Sequence, residues 1–170
     1  MEKAEEIIKL LNLQPLPLEG GYFAVTHTSD ERLSTSSLPG RYQRPRDLSG
    51  AIYYLETPEQ FSAMHRLPTD EIYYFHMGDP LELLLLDPDG GGKQVTLGHD
   101  LKSGHVLQVL APRHYWQGSR PKPGGKHGYS LVSTSMAPGY AEGDAEFASG
   151  NALAMQYPQY TDLIQQLTRD

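Results

Sequence analysis

The stretch SAMHRLPTDEIYYFHMG, from Ser62 to Gly78, carries the residue types best suited to chemistry in this chain. Read as a strand, its second half puts Glu71, Tyr73 and Phe75 on one face and Ile72, Tyr74 and His76 on the other, because successive side chains alternate. A carboxylate turned toward an interior is costly unless it is paired, ligated or wet. His65 lies just across a short turn from Glu71 and is its expected partner. An imidazole and a carboxylate that converge can hold a divalent metal, or act as an acid–base pair with mutually shifted pKa values. His76, of opposite parity to Glu71, is expected at the surface or an interface.

Further candidates stand singly. Trp116, the only tryptophan, follows a turn and is placed to stack on a ligand ring or to fill core. Gln117 beside it offers an amide, and Ser62 opens the His65 segment. Tyr22 and Phe23 follow two glycines that would let the backbone approach a ligand closely. His99, His105, His114 and His127 fall in turn-rich segments and are expected to be solvated. The 11 tyrosines suit both a wet pocket and a dimer interface.

Short β-rich runs must position these residues. YFAVTHT, AIYYLE, EIYYFHM, LELLLLD, KQVTLG, HVLQVL and GYSLVSTSM are separated by Gly, Pro, Asp and Ser, the pattern of an all-β sandwich or barrel. Asp87-Pro88-Asp89-Gly90-Gly91-Gly92 is built to close a hairpin. LELLLL is apolar on both faces, which favours a closed barrel whose outer face is covered by the second sheet, the N-terminal helix or another subunit. Residues 3–12 read as a short amphipathic helix ended by Asn12, and TDLIQQL as a C-terminal helix with Thr161 as N-cap. The expected organisation is one domain over 1–170: helix and linker 1–18, barrel 19–157, C-terminal helix 158–170. The stretch from Asp30 to Asp47 reads as a surface excursion, either mobile or lying over a pocket mouth or a subunit interface.

Composition narrows the function. A formal charge of −7 argues against a nucleic-acid polymer as partner, since phosphate backbones need clustered Lys and Arg. With 0 cysteines, thiolate nucleophiles and sulfur-ligated metals are excluded. No stretch approaches the ~18 apolar residues of a membrane span and the acidic start lacks a signal-peptide pattern, so a cytoplasmic protein is expected. A homodimer is the expected assembly.

His65, Glu71 and Gly78 resemble the first cupin motif, in which two histidines one residue apart precede a glutamate and a closing glycine; the second histidine position is Leu67. Gly104 and Pro112–Gln117 resemble the second motif, with Gln117 at its histidine position. Glu19-Gly20-Gly21-Tyr22-Phe23, Asp79-Pro80-Leu81, Leu97-Gly98, Ser130-Leu131-Val132 and Pro138-Gly139-Tyr140 extend the resemblance, and the chain is identified as a member of the uncharacterised cupin-5 family. The resemblance implies a jelly-roll barrel (double-stranded β-helix) with short N- and C-terminal helices, usually dimeric and similar in shape to sugar-nucleotide epimerases. By that analogy His65 is a base, Glu71 orients it, a tyrosine among Tyr22, Tyr53 and Tyr73 is the acid, and Arg66, Arg113, Arg41, Arg44 or Arg46 meets a diphosphate. The leading expectation is a small polar metabolite (sugar, nucleotide sugar or nucleobase-like) bound and isomerised through His65. Two alternatives stand beside it: a divalent-metal hydrolase, lyase or dioxygenase with His65, Glu71 and Gln117 or His76 as ligands, and a binding module without turnover.

Overall fold

Period-2 alternation decides the architecture of this chain. In a computed structural model the described residues are 3–169; residues 1, 2 and 170, at the outer ends of the expected helical segments, lie outside them. In chain order the strands are β1 (Gln14–Pro15), β2 (Tyr22–Thr28), β3 (Arg32–Leu33), β4 (Arg46–Asp47), β5 (Gly50–Glu56), β6 (Ser62–Arg66), β7 (Glu71–Gly78), β8 (Leu81–Leu86), β9 (Gly92–Leu97), β10 (Gln108–Ala111), β11 (Trp116–Pro121), β12 (Ser130–Met136) and β13 (Glu146–Phe147). The helices are α1 (Ala4–Leu10), α2 (Gly150–Gln156) and α3 (Thr161–Gln166). A 6-stranded sheet, β1-β2-β5-β12-β7-β10, faces a 5-stranded one, β13-β6-β11-β8-β9, and β3 pairs with β4 apart from both. This is the all-β jelly roll with short terminal helices that the sequence predicts. Backbone bonds lace the sheets together, from Val106 N to Thr96 O at 3.0 Å and from Ala63 N to Glu19 O at 2.8 Å.

Inward positions form the core between the sheets. Tyr54, Tyr73, Phe75, Leu81, Leu83, Leu85 and Val132 are buried together. Outward positions are covered by helices. Ile7 and Leu13 pack on Leu55 and Leu131 of the larger sheet, while Leu153, Tyr157, Ile164 and Leu167 close over Met64, Leu84 and Leu86 of the smaller one. The cover on β8 is therefore α2 and α3, not the N-terminal helix, the second sheet or another subunit. Burying each of these leucines is worth about 1.5–3 kcal/mol, which explains why a strand in the middle of a sheet is leucine on both faces.

Several expectations need correction. Residues 150–156, assigned to the barrel, form α2, because GNALAMQ supplies good helix formers with Leu153 turned to the core. Thr161 is not the N-cap of α3; Tyr160 is, and the Thr161 hydroxyl donates to Pro158 O at 3.0 Å. Two long strands, β6 and β11, were absent from the seven-strand reading. The 30–47 excursion is anchored: the Tyr42 hydroxyl lies 2.8 Å from Thr69 Oγ1, and buried Arg46 forms a two-pronged pair with Asp144. Among the described residues no helix is long and apolar enough to cross a membrane.

Candidate functional site

His65 sits on β6, buried at 1 % exposure, with its ring turned between the sheets. Its Nδ1 lies 2.8 Å from Ala63 O. A carbonyl only accepts, so Nδ1 carries the proton, and in the neutral ring Nε2 is left as an acceptor. Facing Nε2 at 3.0 Å is Gln117 Nε2, on β11 directly opposite His65 in the ladder. The same amide nitrogen donates to Glu71 Oε2 at 2.7 Å. The reverse amide orientation would set Oε1 against the imidazole lone pair, so the network fixes this one. His65 and Glu71, expected as a direct pair, are instead bridged by Gln117, because β6 and β7 belong to opposite sheets. Both amide hydrogens are committed, and Gln117 Oε1 is left buried without a partner.

Two further carboxylates complete the floor. Glu19 arrives through the Gly20-Gly21 turn, where both glycines have positive φ, at 97° and 68°. A Cβ on Gly21 would stand 2.6 Å from the Tyr54 ring, so glycine here admits Tyr54, whose hydroxyl donates to Gly20 O at 2.9 Å, and not a ligand. Glu19 Oε1 accepts from Ser62 Oγ at 2.9 Å, and Oε2 lies 3.9 Å from His65 Nε2. Glu56, beneath the floor and fully buried, accepts from Ser119 Oγ at 2.6 Å and from Ser62 N at 3.2 Å. Burial pushes its carboxyl up to about 8 against the pull of those donors. Glu71 is also raised, by burial first and by the charge of Glu19 next, although Thr134, His65 and Gln117 work the other way. Tyr54 and Tyr73 hydroxyls are held well above their ordinary range by burial and then by neighbouring carboxylates.

These groups form one end of a cavity of about 240 Å³. Its walls include Leu16, Phe23, Ile52, Leu67 and Met136, and its mouth includes His27, Asp47, Ser49 and Tyr140. Of the residues predicted from the sequence, His65, Glu71, Tyr73 and Phe23 line it, and Gln117 stands just behind. The others do not. Tyr22 and Tyr53 pack outward beneath α1, because their parity on β2 and β5 is opposite to Phe23 and Tyr54. Ser62 is a buried link between Glu19 and Glu56. Trp116 packs on the outer cluster with α2 and α3, and Arg66 lies over it at 4.6 Å while pairing with Glu146. His76 is exposed, 2.8 Å from Ser133 Oγ, as its parity predicts. His105 is partly buried rather than solvated, with Nδ1 unpartnered. Missing from the sequence reading were Glu19, Glu56, Tyr54 and Thr134. The alternation Ile52, Tyr54, Glu56 carried the signal for two of them, since a strand whose alternate residues are apolar and aromatic sends its glutamate inward too.

The expected arginines gather elsewhere. Arg41, Arg44, Arg46 and Arg66 line a separate groove with His114, Glu142, Asp144 and Glu146, and Leu67 is the wall common to groove and cavity. Arg113 pairs with Asp70 at 3.5 Å on the surface.

A metal does not fit this donor set. The imidazole lone pair and the nearest Glu71 oxygen already converge on the Gln117 amide nitrogen, which occupies the point between them that a cation would need. Leu67 contributes no donor, His76 faces away, and among the described residues no group of three or more His, Asp or Glu side chains is arranged to hold a metal ion.

Comparison with known proteins places this site in context. Residues 5–148 match the family described as Cupin superfamily (DUF985). A solved hypothetical protein from Leishmania major is 32 % identical with a TM-score of 0.86, covering 99 % of this chain and 100 % of that one. A solved protein from Shewanella oneidensis is 33 % identical with a TM-score of 0.85, covering 99 % of each. The uncharacterised protein YML079W of Saccharomyces cerevisiae is 28 % identical over 139 residues, 78 % of this chain and 69 % of its own length. Bacillus subtilis oxalate decarboxylase shares the fold alone, at 12 % identity and a TM-score of 0.52 over 37 % of that chain.

Proposed function

Starting from the fact that this chain belongs to the cupin superfamily, in its DUF985 branch, we propose that it binds a compact polar metabolite in the central cavity without a metal. The observation that carries this reading is the Gln117 amide, which donates to His65 and Glu71 from the place a cupin metal would take. At about 240 Å³ the cavity falls below the roughly 300–1,000 Å³ of drug-sized sites, which suits a single sugar or nucleobase ring and not a whole nucleotide sugar. The arginines that a diphosphate would need stand in the groove beyond Leu67.

Recognition is the best-supported role because both nitrogens of His65 are engaged in the free protein. A catalytic second reading is favoured by one distance. Glu19 Oε2 stands 3.9 Å from His65 Nε2 on the cavity side, so a ligand that displaces the Gln117 contact would release Nε2 as a base with Glu19 beside it to stabilise the imidazolium. Isomerisation through proton removal is the chemistry this pair offers.

Elemental analysis of chelator-free protein, followed by thermal-shift screening of monosaccharides and nucleobases, tests the reading. Expected are sub-stoichiometric metal and a saturable stabilisation that His65→Ala weakens. Near-stoichiometric metal lost in both His65→Ala and Glu71→Ala would overturn it.

A further inference from the structure

Accounting for donors and acceptors at the cavity floor points to the charge of the ligand. The hydroxyl of Ser62 is spent on Glu19, that of Ser119 on Glu56 and that of Tyr54 on Gly20 O. His65 Nδ1–H is spent on Ala63 O, and the Gln117 amide hydrogens on His65 and Glu71. Among the described residues two acceptors stay open: Glu19 Oε2, which accepts no hydrogen bond and lies 3.9 Å from His65 Nε2, and Gln117 Oε1, just behind the cavity, which is buried with no partner. An acceptor left without a donor is unfavourable, so a ligand that supplies N–H groups gains what the free protein lacks.

Charge agrees with the count. Glu19, Glu71 and Asp47 line the cavity, and among the described residues its lining includes no lysine or arginine; its basic side chains are the imidazoles His27 and His65. Asp47 has Arg32 at 3.4 Å, but among the described residues Glu19 has no basic side chain other than the His65 ring within ion-pair reach. The rings of Phe23, Tyr54, Tyr73 and Tyr140 line the same space, and aromatic faces attract organic cations.

Resting on the small-molecule reading above, we infer that the ligand is a small organic cation bearing several N–H donors, an amidine, guanidine or protonated amine on a compact ring or chain, with its cationic end against Glu19 Oε2. Carboxylates and phosphates are disfavoured, since they would bring negative charge beside Glu19 and Asp47.

Benzamidine, benzamide, benzyl alcohol and benzoate provide matched probes of one size, read by calorimetry and by protein NMR at neutral pH and low salt. The expected result is that benzamidine binds about tenfold or more tightly than benzamide, with benzoate weakest. Glu19→Gln should bring benzamidine down to the level of benzamide; Asp47→Asn, at the mouth, should weaken benzamidine by less. Benzamide or benzyl alcohol binding as well as benzamidine would overturn the inference and leave the small-molecule reading standing. Benzoate binding best would overturn it also. If no probe perturbs cavity resonances, and the sugar and nucleobase screen is equally silent, both fall. Should Glu19→Gln fail to fold, the ranking of probes on the wild-type protein decides alone.

Discussion

The central cavity and the arginine groove share Leu67 as a wall and treat buried charge in opposite ways. In the groove each buried or half-buried guanidinium meets a carboxylate head-on, Arg46 with Asp144 and Arg66 with Glu146. At the cavity floor Glu19 and Glu71 have no arginine or lysine partner among the described residues, and Glu71 and the Glu56 beneath it hold protons more tightly instead. A charge solved by pairing is self-contained and asks nothing of a ligand. A charge left to hydroxyls, an amide and a proton is one that a ligand can still satisfy, and this contrast is why the proposed ligand is assigned to the cavity and not to the larger groove.

The largest test of that contrast is pH. The Glu56 carboxyl, with a model-peptide value of 4.5 raised to about 8, is protonated in the fold and ionised in the unfolded chain between those values. Its contribution is therefore fully present below about 4.5 and is lost as pH rises through about 8, on the order of 5 kcal/mol in all. Glu71 adds in the same direction. Denaturant midpoints should fall between pH 5 and pH 9, and Glu56→Gln should flatten most of the slope. A flat wild-type profile would mean that the cavity carboxylates are paired after all.

Next in size is the groove. Arg46→Ala strands Asp144 at 7 % side-chain exposure and should cost about 3–5 kcal/mol in chemical denaturation, with Asp144→Ala in the same background recovering part of it. Near-neutrality of Arg46→Ala would erase the distinction between the two regions. The contrast sharpens further if the cavity floor can be switched from amide to metal. Leu67→His combined with Gln117→His removes the bridging nitrogen and adds two imidazoles near His65 and Glu71, so the double variant should bind nickel or manganese in calorimetry where the wild type gives no saturable heat.

Much of this was legible from residue order. Parity on β7 put Glu71, Tyr73 and Phe75 inside and His76 outside, and the paired apolar faces of LELLLL announced a covered strand. What escaped lay on β6 and β11. SAMHR and WQGSRP mix small, basic and turn-forming residues with no clear alternation, because each has one face against the cavity and one under the C-terminal helices. Without β11 the sequence leaves Trp116 open between a ligand ring and core; the strand's parity turns it to the outer cluster and its neighbour Gln117 inward. Glu19 is hidden differently: a charged residue in a Gly-rich turn reads as solvent-facing, and only closure of the barrel around Ser62 shows otherwise, whereas Glu56 follows from the parity of Ile52 and Tyr54.

The smallest expected effect probes why pairing varies even within the groove. Arg66 and Glu146 are 39 % and 57 % exposed, so water and salt compete for their ion pair and Arg66→Ala should cost no more than about 1 kcal/mol. Part of that loss belongs to the guanidinium lying 4.6 Å over Trp116, which salt screens less. Glu146→Ala removes the ion pair and keeps the stacking, so it should cost less than Arg66→Ala, and the difference between them should persist at high salt while each absolute value shrinks. Equal losses for the two variants would assign everything to the ion pair and leave the Trp116 face, on the outside of the barrel, with no part in holding Arg66 in place.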